Sequence, residues 1–196
     1  MKDGELFVSV DVETDGPIPG EYSMLSLGSA VFDPSWKIIE EFEVNLKTLP
    51  GAKEDKETME WWKTEPKAWE YCRRNQVEPR LAMTSYLAHL KQISNTHQKD
   101  LVCIAYPVTF DFMFVYWYLI KFTGESPFSF SGLDIKTMAM LLMKSSYKEV
   151  SKKSMPRRWF VNAEEHSHTP LQDAKAQGRL FCNMLNEFCA KSNSGL

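Results

Sequence analysis

The chain has 196 residues, a length that suits one domain of ordinary size with its own core, here taken as residues 1–196. Hydrophobic residues make up 43% and charged residues 25%, a balance that excludes a disordered chain; no apolar run is long enough to cross a bilayer. The net charge of −3 excludes an evenly basic surface, but the charge is not evenly spread. Residues 144–158 carry six basic side chains against the single acid Glu149, a net of +5 that leaves −8 for the rest. Local charge, more than the total, decides whether a surface can hold phosphates.

The first residues run straight into a strand-like segment and show no secretory pattern, so a cytoplasmic location is expected. The cysteines, Cys72, Cys103, Cys182 and Cys189, form no C-x-x-C pair and no zinc spacing with histidine, so free thiols are expected.

Residues 6–13 alternate as a strand does. Leu6, Val8, Val10 and Val12 point one way; Phe7, Ser9, Asp11 and Glu13 point the other. The turn-rich loop 16–20 follows. Met24–Phe32 and Lys37–Leu46 fit second and third strands joined by a turn at Asp33-Pro34-Ser35, which together imply an antiparallel meander. Residues 55–97 read as helices punctuated by Pro66 and Pro79. Leu101–Ala105 reads as a buried strand, Phe110–Phe122 as a helix ended by Gly124, Phe130–Ile135 as a fifth strand and Thr137–Lys144 as a helix. The basic stretch 145–165 has no clear period. The last helix, from Pro170 to about Ala190, is the best signalled. Leu171, Ala174, Gly178, Phe181, Leu185 and Phe188 recur at spacings of three and four, Thr169 suits the N-cap, Pro170 the first helical position and Gln172 a capping box. Strands followed by mixed strands and helices imply a single α/β domain.

Three fragments carry chemistry. Asp11 and Glu13 lie two apart on one strand face, where burial without a cation is costly and a hard divalent ion relieves the cost. Asp111 follows the strand Leu101–Ala105 and sits in a first helical turn, where an acid also simply complements the helix dipole. His168 precedes the last helix, with His166 as a nearby decoy. Asp173 falls about 110° from the centre of that helix's apolar stripe and so can face a cleft. Taken singly, each fragment has an ordinary explanation in a solvent-reaching strand, a helix terminus or a surface loop.

Together, Asp11/Glu13, Phe110-Asp111 and His168…Asp173 resemble the DEDD superfamily of exonucleases, histidine subclass. Its pattern is D-x-E on the first strand, an Asp after the fourth strand and H-x-x-x-x-D opening the last helix. That spacing selects His168 over His166. The segment Ser26–Val31 also resembles the second strand of the family, and Thr58-Met59-Glu60-Trp61-Trp62 resembles a bacterial and phage group of exoribonucleases. Where many relatives carry His-Asn before the second-motif Asp, this chain has Tyr106-Pro107.

The resemblance implies a ribonuclease H-like mixed five-stranded sheet flanked by helices. It implies a 3′→5′ exonuclease that releases nucleoside 5′-monophosphates, with two Mg²⁺ or Mn²⁺ ions held by Asp11, Glu13, Asp111 and Asp173 and with His168 as general base. The expected partner is the 3′ end of single-stranded nucleic acid, RNA ahead of DNA, with an oligoribonuclease or a catalytically silent binding domain as alternatives. Thr14, Met24, Leu25 and Trp61 are candidates for contacting the terminal nucleotide, although core packing is as good a reading of the apolar three. Lys152, Lys153, Arg157 and Arg158 are candidates for gripping the phosphate backbone. Homodimers occur among relatives of this kind, and nothing in the residues selects for or against one.

Overall fold

The computed structural model describes residues 4–161 and 169–193, excepting the side chains of 191–193. Five strands form a mixed sheet in the order β3-β2-β1-β4-β5. β1 (Glu5–Thr14) is central, antiparallel to β2 (Met24–Phe32) and parallel to β4 (Asp100–Ala105). β3 (Ile38–Asn45) closes one edge of the sheet. The alternation of β1 sorts its side chains as expected. Leu6, Val8, Val10 and Val12 enter a core shared with Tyr86, Leu90, Phe114 and Val115, from the helices α3 (Pro79–His97) and α4 (Val108–Thr123). Phe7 enters a second core on the opposite face, its ring 5.0 Å from that of Phe181 in α6 (Pro170–Asn193).

Both faces of β1 are therefore covered, including the one bearing Ser9, Asp11 and Glu13. Two glycines make this cover close. Gly28 pairs in register with Asp11, and a Cβ there would stand 2.1 Å from the carbonyl carbon of Pro170. A Cβ on Gly178 would stand 2.2 Å from the Phe32 ring and 3.0 Å from Ser9 Cβ. The missing side chains let the first turn and the middle of α6 lie directly on the sheet. The Asp173 N–H donates to the Thr169 carbonyl at 3.0 Å, which puts Thr169 at the N-cap position. Of the expected stripe, Ala174, Gly178 and Phe181 are buried, Leu171 and Leu185 are half-buried and Phe188 is exposed.

The prolines break the helical region as expected, into α1 (Lys56–Trp62), α2 (Pro66–Cys72) and α3, with Pro66 and Pro79 opening the latter two. Asp55 caps α1 by accepting the Thr58 N–H at 2.9 Å. α4 ends where Gly124 turns left-handed at φ 81°. The fifth strand is a correction, since β5 spans only Leu133–Asp134. One Asp134 oxygen accepts from Thr137 N at 2.8 Å and starts α5 (Ile135–Met143), while the other accepts from Val108 N at 3.0 Å. A capping side chain thus ends the strand that β-branched and aromatic neighbours suggest. The basic stretch forms turns and one 3₁₀ turn, Arg157–Phe160. The four cysteines are free, and no described helix is long and apolar enough to cross a membrane.

The close contact at Gly28 has a measurable consequence. Gly28→Ala should cost about 1–3 kcal/mol through forced displacement of backbone, a fall in Tm of roughly 2–12 °C for a chain of this size. Gly4→Ala, whose added Cβ meets nothing within 4 Å, should leave Tm unchanged; equal melting curves for the two variants would show that α6 does not press on the sheet.

Candidate active site

Asp11 and Glu13 stand on one face near the end of β1, as their period-two spacing requires. Asp173, one turn into α6, is carried over them by the contact at Gly28. One carboxylate oxygen of each of the three lies within 4.8 Å of the others. Asp111, in the first turn of α4 and only 5% exposed, reaches β1 from the other side: its Oδ1 accepts the Val12 N–H at 3.1 Å, between the two acids of the strand. Three elements distant in sequence thus bring four carboxylates to one end of the sheet.

Their electrostatics follow from that crowding. Burial, then the charges of Asp111, Glu13 and Asp173, hold the Asp11 carboxyl well above its ordinary value, with Lys152 opposing. Burial, then Asp173 and Asp111, push Glu13 up to about 8. Burial pushes Asp111 up to about 7 against the hydrogen bond from Val12 and the charge of Lys152. Acids so raised either take up protons near neutral pH or share a cation. Their donors are all carboxylate oxygens, the set that hard divalent ions such as Mg²⁺ or Mn²⁺ prefer. The residues present therefore fit a divalent metal site.

Two positioning residues escape the sequence reading. Gln177, 3% exposed, accepts the Tyr106 N–H at 3.0 Å through Oε1 and donates its amide to the Val10 carbonyl, so α6 is strapped to β1 and to the end of β4. Its only signal is a glutamine between Ala174 and Phe181 on an apolar helix face. Asp15, 1% exposed, accepts the Ser23 N–H and closes the loop after β1. Its signal is an acid beside Gly16-Pro17, which reads equally as a solvated turn.

Residues 6–185 match the Rv2179c-like 3'-5' exoribonuclease domain family. The chain belongs to this family. The 3'-5' DNA exonuclease Cap18 of Escherichia coli is 31% identical over 186 residues, covering 91% of each chain. The fold is shared with the nuclease domain of 3'hExo, a DEDDh family member bound to rAMP (TM-score 0.63, 9% identity, 95% of this chain and 94% of that one). It is shared too with Escherichia coli exonuclease I in a zinc-bound complex with single-stranded DNA (TM-score 0.63, 14% identity, 94% of this chain and 41% of that one). The fold is ribonuclease H-like, and the protein is a 3′→5′ exonuclease.

Beside the carboxylates of this exonuclease lies a cleft of about 250 Å³, lined by Glu13, Thr14, Pro17, Thr58, Trp61 and Phe110 among others. The adjacent tryptophans divide their work as helical geometry demands. Trp62 is buried and donates its indole N–H to the Thr14 carbonyl at 2.9 Å, pinning α1 to β1; Trp61 is 38% exposed and lines the cleft. Thr14 and Trp61 line this cleft, as does Phe110, which the sequence reading left out.

Met24 and Leu25 do not reach the cleft: both are fully buried. β2 runs between β1 and β3, so Met24 packs with the residues of α3 and α4 and Leu25 with Trp62, Ala68 and Cys72. Core packing is the reading that holds for them. Lys152, Lys153 and Arg157 are exposed. Arg158 is exposed as well, but it is already engaged. Its guanidinium meets Glu187 with two bonds, at 2.8 and 2.9 Å, and the Trp159 indole donates to the same carboxylate at 2.6 Å, so Arg158 clamps the 3₁₀ turn onto α6. His168 and its decoy His166 lie outside the described residues.

The raised carboxyls set a pH dependence. Acids that stay protonated in the folded chain while ionising in the unfolded one stabilise the fold at low pH and lose that contribution as pH rises. In chelator, Tm should therefore fall between about pH 4.5 and 8, the ordinary and folded values for Glu13. Added Mn²⁺ should raise Tm more at pH 8 than at pH 5.5, and Glu13→Gln should flatten both trends. Melting curves with and without metal check this, and a metal-independent Tm at pH 8 would remove the cation from the site.

Proposed function

We propose that the exonuclease acts as one catalytic domain on single-stranded 3′ ends, with two Mg²⁺ or Mn²⁺ ions held by Asp11, Glu13, Asp111 and Asp173. The observation that carries this reading is the convergence of these four acids at one end of β1, beside a cleft with an exposed indole. Bound divalent ions would make a water nucleophilic and neutralise charge at the phosphate and the leaving oxygen. The chain's own groups do the rest. Thr14, Trp61 and Phe110 orient the terminal nucleotide, Trp61 offering an aromatic surface to a base. His168 serves as general base: an unperturbed imidazole is neutral often enough near pH 7 to accept a proton from water. Its support is sequence position, two residues before Pro170, whose backbone lies against Gly28 beside Asp11. Lys153 and Arg157 remain free of the clamp that holds Arg158 and suit contacts with the phosphate backbone upstream.

RNA is the substrate we infer first, on the description of the matching family and the Thr58–Trp62 segment. DNA is the second reading, favoured by the 31% identity to a protein named as a DNA exonuclease.

His168→Ala should lose hydrolysis by roughly 10²–10⁴-fold while Mn²⁺ titration shows binding retained. Asp173→Ala and Asp11→Ala should lose both together. Wild-type turnover in His168→Ala would end its assignment.

RNA and DNA oligomers of one sequence, 5′-labelled and 2 to 20 nucleotides long, should give ladders of 5′-labelled products shortened one nucleotide at a time. Higher kcat/KM on RNA supports the first reading and the reverse supports the second, while cuts that begin internally would contradict an exonuclease.

A further inference from the structure

Tyr106 and Lys152 form a pair that the metal site does not use. The Lys152 ammonium stands 5.5 Å from the centre of the Tyr106 ring, within the range in which an aromatic face attracts a cation. Both partners are anchored. Tyr106 directly follows β4, and its N–H is held by Gln177, the residue that also holds the Val10 carbonyl. Lys152 sits on a tight turn in which Ser151 N donates to Ser154 Oγ at 2.9 Å and Ser154 N to the Ser151 carbonyl at 3.0 Å. Val150 and Met155, on either side of this turn, are both buried in the core under α5 and α6. An exposed lysine on a fixed turn, resting on a fixed ring, has a defined place. That place is near the acids: Gln177 ties the Tyr106 N–H to the Val10 carbonyl, beside Asp11, and Lys152 is a cation that lowers both Asp11 and Asp111.

We propose that Tyr106 positions Lys152 to bind the scissile phosphate, an assignment that rests on the exonuclease reading of the four carboxylates. In hydrolysis the water oxygen forms a bond to phosphorus, the P–O3′ bond breaks, the proton of the water passes to the general base and the leaving O3′ takes up a proton. Negative charge gathers on the non-bridging oxygens as the bond to water forms. An ammonium fixed beside them favours that state without giving up a proton. With a divalent cation bound, the carboxylates would no longer compete for the Lys152 charge, which could then pair with the phosphate.

The test uses the full chain with Mn²⁺ and two substrates: a labelled single-stranded 10-mer and the p-nitrophenyl ester of a nucleoside 5′-monophosphate, whose one phosphodiester is the scissile one. Lys152→Ala should lower kcat by roughly 10–100-fold on both substrates, in line with loss of one electrostatic contact to the transition state, with KM for the ester little changed and Mn²⁺ binding no weaker. Tyr106→Ala should lower kcat on both, and Tyr106→Phe, which keeps the ring, should restore most of the rate relative to Tyr106→Ala. Wild-type kcat on the ester in Lys152→Ala overturns the proposal. So does a raised KM confined to the 10-mer, which would move Lys152 to an upstream phosphate, and so does tighter Mn²⁺ binding at unchanged kcat, which would make it a counter-charge for the acids. A wild-type chain that cleaves neither substrate removes the exonuclease reading and this assignment with it.

Discussion

Mutual repulsion among four crowded carboxylates, three of them buried and Asp11 half-buried, is the constraint around which this molecule is arranged. Nothing in the chemistry of acids holds Asp11, Glu13, Asp111 and Asp173 together. Burial raises the Asp11, Glu13 and Asp111 carboxyls, and like charge from their neighbours adds to it at Asp11 and Glu13. The fold must hold them there by other means. It does so with a strand buried on both faces, a helix seated on two glycines and a hydrogen bond from Val12 to Asp111. The energy that keeps the acids in place comes from the apolar cores on either side of the sheet, and the return is a site that a divalent cation completes.

The same logic explains the polar groups around the site. Gln177 lies inside a packed face because one side chain there can satisfy the end of β4 and the carbonyl of Val10 at once, and a buried amide is tolerated only when its bonds are made. Trp62 spends its indole N–H on the Thr14 carbonyl and in doing so leaves Trp61 at the cleft. Asp15 ties back the loop that carries Pro17 to the same cleft. Each of these residues fixes the position of a neighbour at the acids or at the cleft.

Most of the fold was legible in the chain because its signals are local. Pro66 and Pro79 divide the helices, Gly124 ends α4, and the alternation of residues 6–13 sorts the two cores. Where local signals compete, tertiary context prevails. The run Phe130–Ile135 favours a strand, yet Asp134 caps α5 and leaves two residues to pair. Arg158 carries the same charge as Lys152, but Glu187, 29 residues away, takes it.

By itself the sequence determined the order of the acids, the shared face of Asp11 and Glu13 and the start of the last helix after Thr169, because strand period and helix starts depend on neighbours a few residues apart. It also carried enough motif to place the chain among exonucleases. Only the tertiary structure decided that Asp111 reaches across 99 residues to Val12, that Met24 and Leu25 are core and that Trp61 faces the cleft. Those outcomes depend on which strand lies in the middle of the sheet and how closely a helix can approach it, and the approach turns on the absence of a side chain at Gly28 and on what lies opposite in space.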